Sequence, residues 1–230
     1  MVLRVEGVRF AYPGCAPCLR GVSLRVQGGE RVGVIGNNGA GKTTLFYVIA
    51  GLLNPSSGGV WWEEKLLQPG CWRPEMGLVL QNPDDQLLAD SVWEDVAFGL
   101  RRLGMCGQPL QERVRQALER VGCQALANRP PHHLSGGEKR LVTLAGILAM
   151  QPQLILYDEP SATLDRRSRQ RLIRLLPECS PTFLLASHDL DLIREVCQRV
   201  ILLDQGQICA DGPTHDILGD PGLLRRYELD

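Results

Sequence analysis

Gly36-Asn37-Asn38-Gly39-Ala40-Gly41-Lys42-Thr43-Thr44 fits the pattern G-x-x-x-x-G-K-[ST] and follows the apolar run Arg31-Val32-Gly33-Val34-Ile35. This stretch decides the fold. Its glycines admit backbone conformations closed to residues with a Cβ, so successive N–H groups can converge on phosphate oxygens at a helix N-terminus, where the dipole also favours negative charge. Lys42 adds a point charge for the β- and γ-phosphates of a nucleotide, and Thr43 a hydroxyl for Mg²⁺. A glycine loop that merely turns a strand into a helix does not require those specified positions together. The pattern therefore predicts an α/β protein that binds a nucleotide.

Outward from that loop, composition sets the bounds. A chain of 230 residues, 44% of them apolar, can bury a full core as one globular unit or as one unit with an inserted subdomain. The formal net charge of -1 gives no basis for a nucleic-acid partner. No apolar run approaches the ~18 residues that span a bilayer, and Met1-Val2-Leu3-Arg4-Val5-Glu6 lacks the apolar core of a signal peptide. A cytosolic location is expected. Eight cysteines without an export signal then read as reduced thiols. Cys15-Ala16-Pro17-Cys18 has no second pair to complete a tetrahedral zinc site, so it is expected to be a reduced pair in a surface turn.

Before the loop, Leu3 to Val5, Val8 to Tyr12, Val22 to Val26 and Arg31 to Ile35 have strand character, punctuated by Pro13-Gly14 and Gly28-Gly29. An N-terminal antiparallel piece thus leads into the phosphate strand. Tyr12 could stack on a purine, or be an ordinary half-buried strand residue. After the loop, Leu45, Ile49 and Leu52 suit a helix from Lys42 to Gly51, and Val60-Trp61-Trp62 resumes strand character. Met76 to Leu80 is a further strand ending at Gln81, followed by the turn-rich Asn82-Pro83-Asp84-Asp85-Gln86. From about 87 to 150 the chain reads as helical. Leu110, Val114, Ala117, Leu118 and Val121 mark one face of a helix opened by Pro109 and closed by Gly122.

Two later stretches carry chemistry. In Leu134-Ser135-Gly136-Gly137-Glu138-Lys139-Arg140, Ser135 and Glu138 form a capping box for the helix through Leu141, Leu144, Ala145 and Leu148. A cap alone does not need two glycines; Gly136 and Gly137 would bare backbone N–H groups for a second anion. Leu154-Ile155-Leu156-Tyr157-Asp158-Glu159-Pro160 reads as a buried parallel strand delivering two carboxylates at its C-terminal end, where open α/β sheets bind ligands. Asp158 can hold Mg²⁺ through water and Glu159 can take a proton from an attacking water, although such a pair also suits a helix cap. The strand Thr182 to Ala186 leads to His188, a candidate γ-phosphate sensor or a satisfied loop histidine, and the strand Val200 to Leu203 precedes the turn Asp204-Gln205-Gly206.

The series Tyr12, Gly36 to Thr43, Gln81, Leu134 to Gly137, Asp158-Glu159, Asp165 and His188 resembles the ATP-binding cassette ATPases in order and over nearly the whole chain. Gln81 to Leu87, Glu94 to Gly99, Pro131 to Arg140 and Ala145 to Met150 further resemble the A component of energy-coupling factor transporters, the cobalt and nickel type especially. The resemblance implies a P-loop NTPase fold in one nucleotide-binding domain, 1–230. A mixed central sheet with an antiparallel β part would comprise 1–82 and 151–230, with an α-helical subdomain at 83–150. It implies two such subunits, identical or related, facing head to tail with each ATP between one phosphate loop and the other's Ser-Gly-Gly tip. Tyr12 would then stack adenine, and residues 36–44, Asn37, Asn38, Ala40 and Thr44 among them, would hold the phosphates. Thr43, Gln81 and Asp158 would serve Mg²⁺, Ser135, Gly136 and Gly137 the neighbour's γ-phosphate, and Asp165 the opposite loop. Lys42, Gln81, Glu159 and His188 would be the catalytic set. The partners implied are a transmembrane T component, whose arginines Asp84 and Asp85, with Asp90, Glu94 and Asp95 as further candidates, could receive if the tract is not simply a solvated acidic loop, and a substrate-binding membrane subunit. That puts the chain on the cytoplasmic face of a membrane, powering uptake of a micronutrient such as a cobalt or nickel ion or a vitamin.

The segment Ser161-Ala162-Thr163-Leu164-Asp165-Arg166 departs from the usual family pattern, in which Thr comes first, Gly stands at the fourth position counted from Pro160 and Pro comes last, but keeps Asp165. A chromosome-organising relative would need a long coiled coil between phosphate loop and Ser-Gly-Gly motif, and the span from Lys42 to Ser135 lacks heptads. The alternatives are a non-catalytic nucleotide-gated scaffold subunit of a heterodimer and an ABC ATPase of another transporter class; the presence of Lys42, Asp158, Glu159 and His188 predicts activity.

Overall fold

The computed structural model describes residues 2–71, 73–162, 164–179 and 182–229, with backbone alone at Cys179. Its contacts divide the chain into a first unit of residues 1–73 and 181–230 and a second of residues 74–180. Thr163, in the departing segment after Pro160, lies outside the described residues.

The first unit holds two sheets. In one, β1 (Leu3–Phe10) pairs antiparallel with β2 (Leu19–Val26) and, on its other side, with β4 (Ser57–Trp62), which carries β5 (Lys65–Leu66). The two short runs expected before Pro13 are a single strand. Its register shifts between Val5 and Val8, where Gly7 takes φ 58°. That irregularity explains the sequence pattern: Leu3 and Val5 are buried, then Val8 and Phe10, with the parity reset between them. Tyr12 falls beyond the strand end.

In the other sheet β3 (Arg31–Ile35) lies between β8 (Phe183–Ala186) and β9 (Arg199–Asp204), parallel to both. β10 (Gln207–Pro213) returns antiparallel to β9, so the sheet is mixed. The hairpin between them turns at Gln205 and Gly206, both with positive φ, the twist a two-residue loop requires. Val32, Val34, Ile35 and all of β8 are buried, the mark of central parallel strands. Helix α1 (Lys42–Ile49) buries Leu45, Phe46, Val48 and Ile49. Leu52, expected on that face, lies past the helix end and is exposed. Short helices α6 (Leu190–Val196), α7 (Thr214–Leu218) and α8 (Pro221–Arg226) complete the unit.

The second unit pairs β6 (Met76–Val79) parallel with β7 (Leu154–Asp158), Val79 opposite Tyr157. Helices α2 (Val92–Arg102), α3 (Gly107–Arg120) and α4 (Gly136–Ala149) fill most of the interval between those strands, and α5 (Arg166–Cys179) follows. The α3 face is the one expected: Leu110, Val114, Ala117, Leu118 and Val121 are all buried. Its start is not, because the helix begins at Gly107. Pro109 then sits in the first turn, where its missing N–H has no intrahelical acceptor to lose.

Cys15, Cys18, Cys71, Cys106, Cys123, Cys197 and Cys209 are unbridged. Burial pushes the thiol of Cys123 up to about 11 and that of Cys197 to about 12, so both behave as small apolar groups. Among the described residues no helix is long and apolar enough to cross a membrane.

Candidate functional site

In the first unit the site begins where β3 stops. Gly36 has φ 149°, and a Cβ there would meet the carbonyl oxygen of Leu203 at 2.1 Å, so no side chain fits. The loop is fastened back by Gly206 N–H donating to the Ala40 carbonyl at 3.0 Å. Gly41, the residue before α1, is left-handed with φ 107° and offers no capping oxygen, which leaves the first-turn amides to a ligand. The buried Lys42 ammonium donates to the carbonyls of Gly36 at 2.7 Å and Asn37 at 3.2 Å, so it stands over the loop it would share with phosphates. Asn38 and Gly39 are exposed at the tip, and Thr43 is half-buried.

Tyr12 lies against this helix. Its hydroxyl is 3.5 Å from Thr44 Oγ1 and its ring meets Phe10 edge-on at 4.9 Å, yet the residue remains 41% exposed, with ring surface for a flat ligand. The Asn37 side chain turns outward and donates to the carbonyl of Tyr227 at 2.9 Å. Because β8 runs parallel to β3 with Ala186 opposite Val34, His188 leaves the sheet at the same edge as the phosphate loop, and it is exposed. Asp189, next to it, caps α6 by accepting from Leu192 N–H at 2.9 Å.

The second unit repeats that arrangement with carboxylates. The register of β6 and β7 brings Gln81 and Glu159 out at one edge. Asp158, the last residue of β7, is 1% exposed; Glu159 is buried and held at φ 46°, a conformation uncommon for a residue with a long side chain. Gln81 is exposed. At the end of β6 sits Arg140 from α4, 2% exposed, whose guanidinium donates to the carbonyls of Leu80 and Gln81, each at 2.5 Å. Burial lowers its pKa to about 10 while the Asp158 charge opposes the fall, so it stays cationic at neutral pH.

Ser135 is the residue before α4, and the capping box is complete. Its Oγ accepts from Glu138 N–H at 3.4 Å, and the Glu138 carboxylate accepts from Ser135 N–H and Oγ–H, both at 2.8 Å. Those donors hold the Glu138 carboxyl below its usual range, the backbone N–H contributing most. A Cβ on Gly136 would meet nothing within 4 Å; one on Gly137 would meet Ser168 Oγ at 2.4 Å. Ser168 is also where Asp165 is engaged: that carboxylate accepts from the Ser168 amide at 3.0 Å and hydroxyl at 2.9 Å, and from the Arg167 amide at 2.8 Å. Asp165 thus serves the first turn of α5 beside the Ser135 tip. Asp84 and Asp85 sit in a 3-10 turn at Pro83–Asp85 capped by Asn82, and Asp84 already holds Lys139 at 2.6 Å. Of the other acids in that tract, Glu94 binds Arg101, and Asp95 accepts from the amides of Leu88 and Ala89 at 2.9 and 3.0 Å.

Sequence reasoning missed three of these features: the Arg140 grip, the strain at Glu159 and the tie between Asn37 and Tyr227. Only the first left a signal. A charged residue at 140 shares a helix face with Leu144 and Leu148, and a cation inside an apolar stripe asks for partners.

The sequence profile of the ABC transporter family matches residues 19–162. A Synechocystis sp. protein provisionally named an ABC transporter ATP-binding protein is 47% identical over 99% of this chain and 80% of its own length. The energy-coupling factor transporter ATP-binding protein EcfA of Methanothermobacter thermautotrophicus is 42% identical over 99% of this chain and 76% of its own. Among solved structures, cbiO1 of Clostridium perfringens, part of the ABC transporter complex cbiONQ, superposes with a TM-score of 0.83 at 31% identity, covering 99% of this chain and 94% of that one. The chain belongs to the ABC transporter family, as an ATP-hydrolysing, ATP-binding transporter subunit.

Proposed function

We propose that this subunit powers an importer of the energy-coupling factor type. Two copies, or this chain and a related one, close head to tail on two ATP molecules and drive a T component and a substrate-binding subunit in the membrane. The cargo class is a micronutrient, a cobalt or nickel ion or a vitamin. The observation that carries the paired arrangement is Gly136: neither its conformation nor its surroundings within the chain calls for glycine, whereas a triphosphate approaching the α4 tip from outside does. The transporter class is supported by the likeness to EcfA and cbiO1.

In the first unit, Tyr12 stacks adenine and residues 36–44 bind the phosphates. The first unit offers the Thr43 hydroxyl and the second the Gln81 amide oxygen and the buried Asp158 carboxylate, each an oxygen donor of the kind Mg²⁺ takes. When bound, the ion would supply charge neutralisation to the phosphates. Glu159 accepts a proton from the attacking water, and His188 senses the γ-phosphate. Ser135, Gly136 and Gly137 receive the neighbour's ATP, and Asp165 faces the opposite loop.

Toward the membrane, Asp84 and Asp85 receive cationic side chains of the T component. Lys139 shows how Asp84 binds a cation, and the Asp84 carboxylate, on the exposed side of that pair, is open to exchange for another cation. The test is co-purification. Asp84→Lys with Asp85→Lys should retain ATP binding and lose the membrane subunits from a detergent pull-down; recovery of those subunits at the wild-type ratio would overturn the docking assignment. Independently, Glu159→Gln with Mg·ATP should run as a dimer by light scattering, and a monomer at every protein concentration would overturn the paired site.

A further inference from the structure

We infer that Arg140 is a positioning residue for ATP hydrolysis, locking the Gln81 strand end to the helix that presents Ser135. The inference rests on the role proposed above for Gln81. A guanidinium in a core is expensive to desolvate, and an apolar residue of similar volume would pack there at no such cost. Both forks of this one are committed to one task. They bind the consecutive carbonyls of Leu80 and Gln81, and the group feels the charge of Asp158.

Lys139, one residue earlier on α4, reaches the same segment from outside, at Asp84. Two consecutive cations of one helix therefore grip residues 80–84 at both ends. The consequence is mechanical. Ser135 is the cap of α4 and Arg140 lies within its second turn, so a displacement of the helix tip is passed to the Gln81 backbone through two short charge-assisted bonds. Arrival of a nucleotide at the tip and the placement of Gln81 are coupled through Arg140, with Lys139 at Asp84 as a second, more exposed tie.

Arg140→Met and Arg140→Lys test this with two readouts. Hydrogen exchange of the nucleotide-free protein over residues 80–86 should accelerate about tenfold in Arg140→Met, because a buried bond pair to a charged donor is lost. Steady-state hydrolysis should show kcat down by roughly 10²-fold with KM for Mg·ATP nearly unchanged, the size of effect a 1 Å misplacement of a reacting group produces. Arg140→Lys keeps the charge but cannot fork across two carbonyls, so it should fall between wild type and Arg140→Met in both. Should Arg140→Met fail to fold, Arg140→Lys decides alone. Wild-type exchange and kcat in Arg140→Lys overturns the inference, as does faster exchange with unchanged kcat in either variant. A loss confined to KM overturns it too. The role of Gln81 is checked separately by Gln81→Ala: wild-type turnover there defeats that role, whereas the exchange result for residues 80–86 bears on Arg140 itself.

Discussion

The phosphate loop of the first unit and the Ser135 tip of the second both bare the N-terminus of a helix, but their glycines are there for different reasons. At Gly36 the chain itself forbids a side chain: the conformation is one that L residues avoid, and the Leu203 carbonyl occupies the place of a Cβ. At Gly136 the chain forbids nothing. The first loop is a finished object, closed by its own strand, by Lys42 and by the β9–β10 hairpin. On the pairing proposed above the second is half of a site, with Gly136 facing the triphosphate of another subunit while Gly137 makes room for Ser168 Oγ.

Substitutions separate the two cases, the largest effect coming from Gly36→Ala. Displacing the Leu203 backbone should cost roughly 4 kcal/mol, the range reserved for core clashes and strained backbone. A urea midpoint near that of wild type would show that the loop is looser than the first half of the comparison requires. Next in size, Glu159→Gln removes the candidate proton acceptor at the edge of the second unit. Turnover should fall on the order of 10²-fold or more with ATP binding intact, as measured by phosphate release and fluorescent-nucleotide titration; unchanged turnover would point to another base.

Gly136→Ala sharpens the contrast most directly. It should be neutral or stabilising by about 0.5 kcal/mol, since alanine replaces glycine in a helix with open space around it, while ATP-driven dimerisation weakens about tenfold. A lower melting temperature with normal dimerisation would reverse the reading of this tip. Smallest is the cap. Ser135→Ala should cost about 1 kcal/mol, and the cost should depend on pH with a definite sign. Glu138 has a folded pKa below its unfolded one, so its contribution is present above the unfolded value and lost as pH falls through the folded value. Acid titration of the melting temperature should show wild type and Ser135→Ala converging as pH falls below the usual carboxylate range; a constant gap there would assign the cap to the hydroxyl alone.

Much of this was legible from residues close together in the chain. The glycine–lysine pattern, the Ser135–Glu138 box and the α3 stripe are each specified within one loop or a few helical turns, and the structure has all three. The strand runs were legible in kind but not in extent, because a break in alternation at Gly7 looks like a gap until the partner strands show a single ladder with a shifted register. Leu52 was misplaced for a similar reason: periodicity does not say where a helix stops when its end is set by the next turn.

What the sequence determined by itself is the identity of the reactive groups and the local geometry that presents each one, since caps, phosphate loops and buried strands are governed by neighbours a few residues away. Which groups share an edge, that Asp84 is already holding Lys139, and that Arg140 reaches carbonyls some sixty residues back along the chain were decided only by tertiary packing. A guanidinium or a carboxylate has no preference for partners along the chain. It binds whatever the fold brings within about 3 Å once water is excluded.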